Sequence, residues 1–159
     1  MLKQRIITAV ILAPIVVLSM LFMSSDWFAS FLALIALAGA WEWASMVTKT
    51  LLPKIIYVLV CAGLIAGCWF ALDESHVRLV MLAGSIYWVF ILCLLSFYQS
   101  SWLGNYLLDG FLHYSGYFVI MIGWLAMTSL HQQKPVLLLF LFMLVWIADI
   151  AAYFTGKKF

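Results

Sequence analysis

The chain has 159 residues, 68% of them apolar and only 9% charged, and its eight Lys and Arg stand against six Asp and Glu for a net charge of +2. A soluble domain carries about a quarter of its residues as charges, so this composition excludes one. A closed β-barrel would need strands of alternating polarity, which are absent, and no nucleic-acid partner is expected. The fold class that remains is all-α, a polytopic transmembrane helical bundle forming a single integral membrane region over residues 1–159.

Six spans follow in chain order, at residues 6–23, 27–47, 55–72, 77–97, 111–130 and 136–154. The first follows Lys3 and Arg5, but it is long, lacks a small-x-small cleavage site and is followed by further spans, so it reads as a retained helix and not a secretory signal. Pro14 cannot donate to the carbonyl of Val10 and is expected to bend it. The second span carries Glu42 between Trp41 and Trp43. In the third, Gly63 and Gly67 with Ala62 and Ala66 form a small-xxx-small stripe that predicts a close helix contact. Arg78 near the start of the fourth is expected to snorkel, with Asp73 and Glu74 offsetting its charge. Between residues 98 and 110, Trp102, Leu103, Tyr106 and Leu107 recur at helical spacing and predict a short helix lying in the interface. Ser115, Gly116, Gly123 and Ala126 in the fifth span, and Ala148 and Ala152 in the sixth, predict further close contacts. Cys61, Cys68 and Cys93 all fall inside spans with neither C-x-x-C spacing nor nearby histidines, which reads as packing.

If the helices alternate, Lys3, Arg5, Lys49, Lys54, Lys157 and Lys158 share one side and only Arg78 and Lys134 the other. The positive-inside rule then places both termini in the cytoplasm.

Two carboxylates lie within spans. Glu42 and Asp149 each come about 15 residues into an apolar run that enters from the outside, roughly 6 to 8 Å past mid-membrane on the cytoplasmic side. At matching depth they can share one polar cavity. Trp146, Asp149, Tyr153 and Gly156 lie on one helical stripe that ends in Lys157 and Lys158. Such a stripe suits a metal ion or a phosphate group: the carboxylate can bind Mg²⁺, the glycine admits close backbone approach, and the lysines supply charge. A plain structural role stays open, with Asp149 hydrogen-bonding a neighbouring helix and the lysines marking topology. His113, at the cytoplasmic start of the fifth span, can reach the same cavity, whereas His76 and His131 are expected in solvated outer loops. There is no Walker-type loop, no G-x-S-x-G elbow and no H-E-x-x-H.

Three segments together carry a resemblance: Leu2-Lys3-Gln4-Arg5-Ile6-Ile7 with Pro14; Ala40-Trp41-Glu42-Trp43; and the A-D-x-x-A-Y-x-x-G-K run from Ala148 to Lys157. They fall in the order found in bacterial phosphatidate cytidylyltransferases, also called CDP-diacylglycerol synthases, which this chain resembles over their N-terminal portion. The resemblance implies an enzyme of the bacterial inner membrane that condenses CTP with phosphatidic acid, releasing pyrophosphate and giving CDP-diacylglycerol, with Mg²⁺ as cofactor. It implies Asp149 and Glu42 as catalytic residues, Asp149 also at the metal, and Tyr153, Gly156 and Lys157 in substrate binding; a homodimer is a further expectation. Family members continue with a lysine-rich S-P-x-K-T segment, further helices and a long signature holding the principal metal-binding acids. The expectation is therefore a truncated form, inactive alone. Two alternatives stand beside it: a small transporter or channel subunit using Glu42 and Asp149 as ion or proton ligands, and the non-catalytic half of a split membrane enzyme.

Overall fold

The computed structural model describes the backbone of residues 2–97 and 105–158 and the side chains of residues 10–94 and 110–156. Its helices are α1 (Leu2–Phe22), α2 (Ser25–Val47), α3 (Leu51–Ala71), α4 (Glu74–Phe97), α5 (Asn105–Gln133) and α6 (Pro135–Lys158). No strand occurs among the described residues. In hydrocarbon every backbone N–H and C=O must be paired within the protein, and a helix does this inside a single segment. Each expected span falls on one helix and overruns it by at most a residue, while the helices start up to about six residues earlier. Among the described residues, α2 to α6 each hold a stretch long and apolar enough to cross a membrane, while the described apolar part of α1 is Val10–Phe22. The chain is a multi-pass membrane protein.

The short connections follow from local chemistry. Pro135 opens α6, where its missing N–H costs nothing, and Pro53 falls in the first turn of α3 for the same reason. Part of the interfacial helix expected between residues 98 and 110 lies outside the described residues; from Asn105 onward the chain is already α5, so Tyr106 and Leu107 belong to a long helix and not a separate one. Apolarity continues from Tyr106 into the span with no helix breaker except Gly110, and a lone glycine does not end a helix.

Asp73 caps α4. Its Oδ1 accepts from the His76 backbone N–H at 2.9 Å, from Ser75 Oγ at 2.7 Å, and lies 2.7 Å from His76 Nδ1. Among the described residues neither Asp73 nor Glu74 forms an ion pair with Arg78, whose Nε donates to the Glu74 carbonyl at 3.4 Å. The His76 backbone bond, then the Ser75 hydroxyl, hold the Asp73 carboxyl down at about 2 from its usual 3.8. A lowered folded pKa means a contribution fully present above 3.8 and lost as the pH falls through about 2. The protection factor of the His76 amide, its exchange rate corrected for the intrinsic pH dependence, should therefore be high at neutral pH and fall across that window, and Asp73→Ala should remove the fall.

The chain gathers into two compact units, Ser30–Ala126 and the pair Met1–Ala29 with Met127–Phe159. In the first, Ala40 and Ala44 of α2 and Tyr57 and Cys61 of α3 form a buried core flanked by Leu37, Trp43, Val58, Tyr117 and Ile120. The small-xxx-small stripe in use is Ala40 and Ala44. Gly63 and Gly67 have nothing within reach of an added Cβ, because α3 turns its Tyr57, Cys61 and Ile65 face inward. Gly123 is likewise open, and Ala148 and Ala152 are exposed, so the close contacts expected at those positions are not made among the described residues. Tyr57 stacks on Tyr117 at 4.0 Å and Trp69 meets Trp124 at 6.0 Å, which makes α3 and α5 parallel. Gly84 seats Ile122 and Tyr87 stacks on Phe118 at 5.5 Å, which makes α4 and α5 antiparallel, as alternating spans require.

The other unit is closed by a histidine that reads in the sequence as a solvated loop residue. His131 is 2% exposed because α5 continues to Gln133 and carries the imidazole inward. It stacks on Phe28 at 4.1 Å, beside the buried Met20 and Leu138. Its Nε2 lies 3.0 Å from the Met20 carbonyl and, since a carbonyl only accepts, carries the proton. That carbonyl belongs to the last turn of α1, where no intrahelical donor follows. Nδ1 has no partner among the described residues. His131→Phe keeps the stack and drops one bond, so it should cost about 1 kcal/mol in a steric-trap unfolding measurement.

Candidate functional site

α6 brings Phe142, Trp146, Asp149 and Ile150 to one face at i, i+4, i+7 and i+8. α1 faces them with Leu12, Ala13 and Val16, and together they line a cavity of about 460 Å³. Phe142 and Trp146 meet edge to face at 6.1 Å, stiffening the wall. Asp149 is the one acidic group of this lining and is itself exposed. Among the described residues it has no hydrogen-bond or ion-pair partner. A carboxylate at this depth costs roughly 2.5 to 3.5 kcal/mol on insertion scales, and more against bare lipid, so its retention in an apolar wall calls for a polar contact.

The rest of the expected stripe diverges from this lining. Tyr153 is on α6 but 52% exposed, touching Phe154 edge to face at 5.7 Å. Gly156 has open space where a Cβ would stand, so among the described residues no close approach requires a glycine there. The Lys157 side chain lies outside the described residues.

Glu42 belongs to the unit Ser30–Ala126. At 100° per residue it falls opposite the buried Ala40 and Ala44, and it is exposed. Its neighbours are divided by the same rotation. Trp41 is 38% exposed and carries Lys54 Nζ over its ring at 5.9 Å. Trp43 turns toward α5 and donates Nε1 to the Leu112 carbonyl at 3.0 Å.

That contact is one half of a junction that the motifs do not announce. Tyr57 donates to the His113 carbonyl at 3.2 Å, and both aromatic tips lie against Gly116, where an added Cβ would collide with each. His113 is half-buried, edge-on to Tyr57 at 5.4 Å and to Tyr114 at 5.5 Å. The only sequence signal was the Ser115-Gly116 pair inside an aromatic stretch. The junction ties α2 and α3 to α5.

Among the described residues no three His, Cys, Asp or Glu side chains gather as a metal cluster. Mg²⁺ is commonly bound by one or two carboxylates with waters and substrate phosphates, so Asp149 fits as a single oxygen ligand and not as a complete site.

The sequence matches the Cytidylyltransferase family over residues 3–159. It is 30% identical to a phosphatidate cytidylyltransferase of Pseudomonas aeruginosa, an alignment that covers 100% of this chain and 59% of the relative. A phosphatidate cytidylyltransferase of Haemophilus influenzae is 29% identical, with 100% of this chain and 62% of the relative covered. The chain thus spans about three-fifths of the length of the curated relatives it matches. No solved structure gives a significant match. The family match takes in both compact units and every helix described above, and on that ground the chain belongs to the cytidylyltransferase family.

Proposed function

We propose that the chain forms the N-terminal part of a phosphatidate cytidylyltransferase, which condenses CTP with phosphatidic acid to give CDP-diacylglycerol and pyrophosphate. The observation that carries this reading is the family match over residues 3–159, together with the names of the two relatives. In such a condensation a lipid phosphate oxygen attacks the α-phosphorus of CTP and pyrophosphate leaves. Positioning and charge neutralisation do most of the work.

Asp149 places a carboxyl group at the α1/α6 cavity and would serve as one ligand of Mg²⁺, which bound there would neutralise phosphate charge. Tyr153 and Gly156 shape the approach along α6, Lys157 contacts phosphate, and Glu42 of α2 is a second catalytic carboxylate. The cytoplasmic aspect of both termini puts these groups on the CTP side of a bacterial inner membrane, and a homodimer is the proposed assembly. Alone, the chain is expected to transfer no CMP to phosphatidic acid.

A chimera tests the reading. The matched part of the Pseudomonas aeruginosa relative is replaced by this chain and introduced into cells whose own enzyme is repressible. Growth under repression is the expected result; failure of a stably inserted chimera to sustain growth would count against the proposal.

A further inference from the structure

The seam between α1 and α6 is filled at one end and open at the other. Met20 and Leu138 close it, whereas around Ala13, Phe142, Trp146 and Asp149 it opens into the cavity of about 460 Å³. The space is an open groove, with Leu12 and Ile150 of its lining each more than half exposed, so in a membrane something outside the described residues covers it. α6 is the most apolar of the spans and almost none of it is buried, with Ile147 and Ile150 both more than half exposed.

Three occupants can be weighed. Lipid tails suit the apolar wall but leave the Asp149 carboxylate against hydrocarbon. A second copy meeting this groove about a twofold axis would bring one Asp149 toward another, and like charges repel strongly at low dielectric. A membrane-spanning helix that carries a basic, hydroxyl or amide side chain at the depth of Asp149 meets both demands. The relatives have length for it: the part that this chain does not span is on the order of a hundred residues, enough for more than one span of about 20.

We infer that the α1/α6 groove is the docking surface for a membrane-spanning helix from the part of the cytidylyltransferase architecture that this chain does not span, with a donor side chain of that helix on Asp149. This docking rests on the proposed reading of the chain as one part of a larger enzyme. The carboxylate has two oxygens and several lone-pair sites, so a helix donor and a cation can share it.

The test reads contact, not turnover. The full chain carries a photoreactive residue in the groove, Ile150→p-benzoylphenylalanine, and is co-expressed with the unmatched part of the Pseudomonas aeruginosa relative as a separate polypeptide. Irradiation should give a one-to-one adduct of the two, at least about tenfold more abundant than from Phe90→p-benzoylphenylalanine on the exposed face of α4. Adding Asp149→Leu should lower the yield roughly tenfold, and Asp149→Asn, which can still hydrogen-bond, by less.

The same photoreactive residue in the fused chimera, with adducts mapped by mass spectrometry, keeps the test valid if the separate pieces fail to assemble. Adducts only with lipid, only with a second copy of this chain, or equally from Ile150 and Phe90 would overturn the docking. A chimera that crosslinks from Ile150 but makes no CDP-diacylglycerol would sink the proposed activity and leave the docking standing. Product without that crosslink would do the reverse.

Discussion

Gly116→Ala is expected to destabilise the unit formed by Ser30–Ala126 by roughly 2 to 4 kcal/mol, a large loss for a single methyl group. The new Cβ would enter space held by the Trp43 indole nitrogen and the Tyr57 hydroxyl. Neither side chain retreats freely, since Tyr57 is 1% exposed and stacked on Tyr117. Overpacking of this kind costs roughly 1 to 3 kcal/mol, and two interhelical hydrogen bonds, each worth about 0.6 kcal/mol in a membrane protein, are lost with it. Gly63→Ala and Gly123→Ala provide the contrast. Nothing stands near their Cβ positions, so relief of glycine's helix penalty should leave each neutral or stabilising by up to about 1 kcal/mol. Steric-trap unfolding in bicelles measures all three. Equal effects at the three glycines would show that the Trp43 and Tyr57 contacts do not hold α2 and α3 to α5.

The second large effect concerns activity. Asp149→Asn in the chimera should lower CTP-dependent product formation at least about tenfold, because the substitution preserves shape and removes the charge that a cation or donor would meet. Insertion should be unchanged and the stability of the chimera should fall only modestly, since the amide still accepts a hydrogen bond from the docked helix but no longer meets it with a charge. A turnover loss far larger than the stability loss is the signature of a group retained for chemistry. Parallel losses would make Asp149 a structural hydrogen-bonding residue, and near-normal turnover would remove it from the site.

The helices could be read from the sequence because a membrane leaves a long apolar run little alternative, and the run length is visible in one dimension. Which faces meet could not. Gly63 and Gly67 form a better small-residue stripe than Ala40 and Ala44, yet the contact goes to the alanines because Tyr57 and Cys61 lie on the other face of α3. The burial of His131 depends on a carbonyl 111 residues earlier in the chain, a pairing with no local trace.

The candidate site divides in the same way. The depth of Asp149 and its register with Trp146 follow from α6 alone, whereas the α1 wall of Leu12, Ala13 and Val16 comes from packing between distant segments. Helical spacing put Tyr153 and Gly156 on the stripe, whereas among the described residues the α6 lining of the cavity runs only from Phe142 to Ile150.

The most direct measurement is transfer of label from α-labelled CTP into lipid by purified chimera in bicelles, with and without added phosphatidic acid. The expected result is labelled CDP-diacylglycerol that depends on phosphatidic acid, with one pyrophosphate released per lipid formed, and no transfer by residues 1–159 alone. A folded chimera that leaves CTP intact, or label that enters lipid equally without phosphatidic acid, would contradict a phosphatidate cytidylyltransferase role for this chain.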